Sequence, residues 1–210
     1  MNVQQAYDAW SSSYDTDRNL TRDLDAEATR TTLTGLRCHN IMEIGCGTGK
    51  NTVFLAQLGR HVRALDFSAG MIARAREKLL LDNVTFTVAD ITQRWPGEDG
   101  SVDLVTCNLV LEHVPELFSI FAEASRVLAK GGHLFVSELP PYRQYQGTKA
   151  NFKQDRTTTE IPAFVHHLSD YTTAAAANQF ALSGLKEWWH AEDEAKPPRL
   201  VSFLWEKQNV

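Results

Sequence analysis

Short apolar runs alternate with segments whose apolar residues fall three or four apart, and this alternation governs the chain from about residue 41 to residue 137. Residues 41–44 read as a buried strand, 52–58 as a helix ended by Gly59, 61–65 as a second strand and 84–88 as a third. Ser68 suits the N-cap of a helix from Ala69 to about Leu81, whose Arg74, Arg76 and Lys78 complement its C-terminal end. Residues 102–107 form a fourth strand, 116–130 a helix stopped by Gly131-Gly132, and 133–137 a fifth strand. Two late runs, 185–189 and 200–205, are separated by the turn-like stretch 192–198. That link is of hairpin length, so at least one of the two runs antiparallel to the rest. The expected class is α/β, with a doubly wound and mostly parallel sheet.

The ends of this pattern are less regular. Residues 3–10 fit a short amphipathic helix with Tyr7 and Trp10 on one side, and 21–36 a helix with Leu24, Ala28 and Leu36 roughly on one face. With no strand partner, both are expected to pack across the top or side of the sheet. Residues 140–168 are polar, carry Pro140, Pro141 and Pro162 and have no period, so they read as an inserted cap. Ser169 then caps a helix over 170–178. Adjacent Trp188 and Trp189 face opposite ways in a strand, one of them toward the core. The 210 residues suit a single domain, 1–210.

Bulk composition narrows the partners. A formal charge of -5 offers no general footprint for nucleic acid or anionic membrane. Cys38, Cys46 and Cys107 are odd in number and show no metal-like spacing, so they read as reduced thiols, and no metal site is expected. No apolar run approaches the roughly 20 residues of a membrane span, and the first residues do not resemble a signal peptide. A cytoplasmic location is expected, as a monomer or homodimer.

The candidate chemistry begins at Glu43-Ile-Gly-Cys-Gly-Thr-Gly-Lys50, where a strand runs through Gly45, Cys46, Gly47 and Gly49 into a helix N-terminus. Such a turn lets a ligand approach the backbone and favours an anionic group, either a pyrophosphate or a single carboxylate. Lys50 stands where a dinucleotide fingerprint wants Gly or Ala. Glu43 suits a ligand that carries an ammonium group beside its carboxylate. Asp66 ends the second strand, near the spacing of an acid that grips a ribose, and Asp90 ends the third. Each alone could be a solvated acid or a cap; together they mark successive strand ends, where ligands bind in such sheets.

This set, with Ala64-Leu-Asp-Phe-Ser-Ala-Gly-Met71, Val88-Ala-Asp-Ile91 and Asn108-Leu-Val-Leu-Glu-His113-Val, resembles the class I S-adenosylmethionine-dependent methyltransferases. It is most similar to their small-molecule group, the methyltransferase type 11 enzymes of the ubiquinone, menaquinone and biotin pathways. The resemblance covers roughly residues 7–205 and implies a Rossmann-like, seven-stranded sheet with one antiparallel strand and helices on both faces. It further implies that Glu43 and the turn from Gly45 through Cys46 and Gly47 to Gly49 hold the methionine end of S-adenosylmethionine. Asp66 would bind the ribose, Phe67 and Met71 flank the adenine, Asp90 meet its amino group and Ile91 pack on the ring. Asn108 would lie near the sulfonium. Tyr7 and Tyr14 resemble part of an N-terminal lid, 1–39, that faces the substrate, and Tyr142 falls in the cap.

The implied reaction moves a methyl group to an oxygen or nitrogen of a small molecule and releases S-adenosylhomocysteine. His113, His166 and His167 are the candidate bases, since imidazole titrates near neutrality. His113 could equally cap the next helix, and His166 and His167 could simply be solvated. Two alternatives stand beside this reading: a relative that binds the cofactor without catalysis, and a nicotinamide-dependent oxidoreductase, against which Lys50 and Glu43 argue. The fourth strand is not followed by the Pro-Pro-Tyr of DNA and protein amide methylases, because Pro140-Pro-Tyr142 follows the fifth.

Overall fold

A computed structural model describes residues 2–148, 151–154, 157–193 and 195–209. Helices α1 (Val3–Trp10) and α2 (Leu20–Leu33) precede the alternating part: β1 (Asn40–Ile44), α3 (Thr52–Leu58), β2 (His61–Asp66), α4 (Ala69–Lys78), β3 (Val84–Val88) and β4 (Val102–Asn108). Then come α5 (Leu117–Val127), β5 (Leu128–Glu138), α6 (Pro141–Tyr145), β6 (Asn151–Gln154), β7 (Thr157–Glu160), α7 (Leu168–Ala177), β8 (Phe180–Trp188) and β9 (Leu200–Lys207). Seven strands form one sheet in the order β3-β2-β1-β4-β5-β9-β8, while β6 and β7 pair separately. The first five are mutually parallel, and β9 runs antiparallel to both β5 and β8. One reversed strand thus accounts for the short link between the last two.

Strand parity decides what each face holds. Met42, Ile44, Val105, Cys107, Leu134 and Val136 point to one side, where they meet Phe121 and Ala124 of α5 and Tyr171 and Ala174 of α7. Ile41, Val62, Leu104 and Phe135 point to the other, against Leu33 of α2 and Leu55 of α3, and Ala64 and Phe86 meet Ile72 and Ala75 of α4. Parity carries that second face on to Glu43, Thr106, Asn108 and Ser137 at the C-terminal ends of β1, β4 and β5. One face is therefore apolar at the bottom and polar at the top.

Several expectations change in detail: α4 ends at Lys78 rather than near Leu81, and α7 starts at Leu168, ahead of the expected Ser169 cap. The strand expected at 133–137 begins at Leu128, directly after α5, because Leu128 already pairs with Val102 before the irregularity at Gly131, which has φ 73. The segment expected as an unpatterned cap contains α6 and the β6–β7 hairpin, both too short to leave a period in the sequence. The strand expected at 185–189 spans 180–188, so Trp189 lies outside it; Trp188 is buried and Trp189 is half exposed. Among the described residues, no helix is long and apolar enough to cross a membrane, and no cluster of three metal-ligating side chains occurs.

Candidate active site

A cavity of about 390 Å³ opens where the chain leaves the C-terminal ends of β1, β2 and β4, with α1 above it. This is the size of a single-ligand pocket. Glu43, Gly45, Cys46, Gly47, Asp66, Phe67, Met71, Asp90, Ile91 and Asn108 all line it, as do Tyr7, Tyr14 and His113. Gly49 does not: it stands behind the turn, with φ 84, where a Cβ would fall 2.5 Å from Leu79 Cδ1.

The turn is held from two sides. Gly45 has φ 68, and a Cβ on it would lie 2.1 Å from Val110 Cγ2, so only glycine lets the segment after β4 close against it. Asp66 Oδ2 accepts from the Gly47 N–H at 2.8 Å, and its Oδ1 accepts from the Ser68 N–H at 2.9 Å. One carboxylate therefore fixes both the glycine turn and the start of α4. Asp90 is more open, and its Oδ1 accepts from Thr92 N at 2.9 Å and from Thr92 Oγ1 at 2.7 Å.

The cavity wall is rich in buried acids. Burial pushes Glu43 up to about 8, with neighbouring Asp25 and Asp66 adding to the effect, although Thr52 Oγ1 donates to its Oε2 at 2.5 Å. Burial likewise lifts Asp66 to about 6 and raises Asp25, which sits on α2. The cations that line the cavity are turned to other partners. Lys50 pairs with Asp23, while Arg22 lies over the Tyr14 ring and donates to Tyr14 O at 2.6 Å and Asp17 O at 2.9 Å. A ligand bearing positive charge would relieve this wall.

Above the acids, α1 closes the space. Gln4 Nε2 donates to Phe67 O at 2.7 Å, and Asp8 Oδ1 accepts from Ser68 Oγ at 2.5 Å and Gly70 N at 3.1 Å. Tyr7 Oη lies 2.9 Å from His113 Nε2, and His113 Nδ1 lies 2.9 Å from Pro162 O. A carbonyl only accepts, so Nδ1 carries the proton, and Nε2 of the neutral ring accepts from the Tyr7 hydroxyl. Burial lowers the His113 pKa and raises that of Tyr7, which favours this neutral pair.

The central residues match a known family. A family model described as a methyltransferase domain matches residues 42–136, the segment from β1 through β5 that contains the glycine turn, Asp66, Asp90 and Asn108. Residues 42–136 are a methyltransferase domain by this match, and the chain has the fold of S-adenosylmethionine-dependent methyltransferases. The ubiquinone biosynthesis O-methyltransferase of Xanthomonas campestris pv. campestris (strain B100) is 32% identical over 155 residues, 70% of this chain and 61% of that protein. The protein of the same name from Cupriavidus pinatubonensis is 36% identical over 109 residues, 51% of this chain and 44% of that protein. The chain thus spans less than two thirds of the curated relatives it matches. Among solved structures, the DhpI–SAH complex aligns with TM-score 0.78 at 23% identity, over 99% of this chain and 96% of that one. A S-adenosylmethionine-dependent methyltransferase from Mesorhizobium loti aligns at 0.75 and 21%, over 90% and 100%. Both of these likenesses concern the fold.

Three residues singled out in the sequence lie elsewhere in the fold. His166 is buried, and its Nε2 lies 3.1 Å from Leu111 O and 2.8 Å from Val114 O, so it donates to the turn after β4 and holds it. His167 precedes α7, with its Nδ1 bonded to the Tyr145 hydroxyl. Tyr142 turns toward β8, where its hydroxyl donates to Glu187 Oε1 at 2.5 Å. None of the three lines the cavity. Conversely, Arg22, Asp25 and Asn51 do line it and were not singled out. The signal for Asp25 was present: Asp25 and Thr29, four apart, sit beside Leu24 and Ala28 on a helix face that buries all four.

Proposed function

We propose that this protein transfers the methyl group of S-adenosylmethionine to an oxygen or nitrogen of a small-molecule acceptor. The observation that carries the proposal is the convergence of Glu43, Asp66 and Asp90, from the ends of three successive strands, on one cavity beside the glycine turn. The residues fit the cofactor: among the described residues no buried cation faces Glu43 or Asp66, which suits a ligand carrying an ammonium and a sulfonium, and Phe67, Met71 and Ile91 offer apolar surface to an adenine. Glu43 and the turn hold the methionine end, Asp66 the ribose hydroxyls and Asp90 the adenine amino group. When bound, S-adenosylmethionine supplies the methyl group, and its sulfur leaves with the electron pair of the broken C–S bond.

The chain contributes alignment, exclusion of water and a destination for a proton. The acceptor lies under α1, within reach of Tyr7 and Tyr14. Its proton passes to the Tyr7 oxygen as the Tyr7 proton moves to His113 Nε2, which the Pro162 carbonyl keeps free by holding Nδ1–H. Residues 1–39 serve as the lid, and the segment 140–168 reaches the site through the Pro162 carbonyl on His113. The O-methyltransferase names of the relatives support oxygen as the receiving atom.

Isothermal titration with S-adenosylmethionine and S-adenosylhomocysteine tests the cofactor, and no binding of either would sink the reading. Asp66→Ala is expected to weaken binding at least tenfold. Turnover with a panel of phenols, amines and carboxylic acids tests the transfer. Binding without turnover of any of them would favour a non-catalytic relative, and binding of NADH instead would favour an oxidoreductase.

A further inference from the structure

The two carboxylate oxygens of Asp25 reach different elements. Oδ1 accepts from Asn108 Nδ2 at the tip of β4, and Oδ2 from Asn51 Nδ2 just before α3, each at 2.8 Å. The second hydrogen of Asn108 Nδ2 goes to Thr29 Oγ1, also at 2.8 Å and one helical turn beyond Asp25 on α2. A carboxylate only accepts, so the nitrogen of the Asn108 amide is the atom turned to the helix. The amide oxygen is left on the other side, buried and without a partner. An unpaired buried acceptor is unfavourable and calls for a donor.

Asp25, Asn51, Glu43 and Asn108 all line the cavity. Both hydrogens of the Asn108 amide are spent on α2, and Asp25 and Glu43 are acceptors when ionised. Asn108, and Asp25 and Glu43 once ionised, therefore leave only acceptors for a ligand. We propose that Asp25, through its bond to Asn108, sets the methionine end of the site to recognise the ammonium group of the cofactor. Asp25 is then a positioning residue, and α2 takes part in cofactor recognition rather than only covering the sheet. The inference rests on the cofactor reading given above.

The test compares two ligands on three proteins by isothermal titration: S-adenosylhomocysteine, and its analogue lacking the amino group. Asp25→Asn keeps the shape, removes the charge and adds a competing donor. It is expected to weaken S-adenosylhomocysteine at least tenfold while changing the analogue less than twofold. Thr29→Val releases one hydrogen of Asn108 and is expected to cost S-adenosylhomocysteine three- to fivefold, again sparing the analogue. A merely structural role would weaken both ligands by the same factor, and that result, or no change in either, overturns the inference. If Asp25→Asn does not fold, Thr29→Val decides by the same ratio. Wild-type protein that binds neither ligand would instead overturn the cofactor reading itself.

Discussion

Gly45 concentrates two demands that a side chain cannot meet together: a left-handed backbone, φ 68, and the approach of Val110 Cγ2 to within 2.1 Å of where a Cβ would stand. In Gly45→Ala the turn or the Val110 segment has to move, in addition to a backbone cost of about 1 kcal/mol. Because Asp66 holds this same turn through Gly47 N, displacement is expected to reach that carboxylate, which is proposed above to bind the ribose. Gly45→Ala should lose at least tenfold in affinity for S-adenosylhomocysteine by titration, with melting lowered by only a few degrees; unchanged affinity would mean that the turn tolerates the shift. At this scale the sequence was informative where a residue type is demanding. Gly45, Asp66 and Asp90 stand out because few other side chains can do their work. Asp25 shows only its place beside Leu24 and Ala28 on a helix face; its partner Asn108 is 83 residues away, and only the topology brings the two together.

Among the elements, α1 has the most consequence for its length. Its helix is closed at the start by a capping box between Asn2 and Gln5, and Ala6 and Trp10 are buried beneath it. Asp8 anchors it to the start of α4 through Ser68 Oγ and Gly70 N. Net worth near 1 kcal/mol for such contacts predicts that Asp8→Ala raises amide exchange across α1 about fivefold, measured by hydrogen–deuterium exchange; unchanged exchange would show that Gln4, Tyr7 and Trp10 hold the helix without it. The alternating elements from β1 to α5 were legible because buried parallel strands leave continuous apolar runs and helices leave a 3.6-residue period. Residues 140–168 were not, because α6 and the β6–β7 hairpin are too short for any period to accumulate. The paired His166 and His167 misled for a related reason. Neighbours in sequence point apart, and here one is buried under the turn after β4 while the other opens α7.

For the whole molecule, the buried acids make stability depend on pH in an unusual direction. Glu43 titrates near 8 in the folded chain, above the ordinary carboxyl value of about 4.3. A folded-state pKa raised in this way means that the native protein binds the proton more tightly than the unfolded chain. Stability from this group therefore falls as pH rises from about 4.5 to about 8. Glu43→Gln removes the titration and retains an acceptor for Thr52. In thermal melts without ligand, the variant should gain on the wild type steadily across that window, and a constant difference would remove Glu43 as the source.

Ser68 ties these scales together, since its hydroxyl holds Asp8 of the proposed lid while its N–H holds Asp66, the acid proposed to bind the ribose. Two events that share one residue are thermodynamically linked. Whatever factor the cofactor adds to closure of α1, closure must return to the affinity for the cofactor. A covalent tether that locked α1 down would therefore raise equilibrium affinity while slowing both entry and release. On the function proposed above, such a protein would hold its spent cofactor longest under the conditions that bind the fresh one best, and turnover would be governed by the opening of eight residues rather than by the transfer itself.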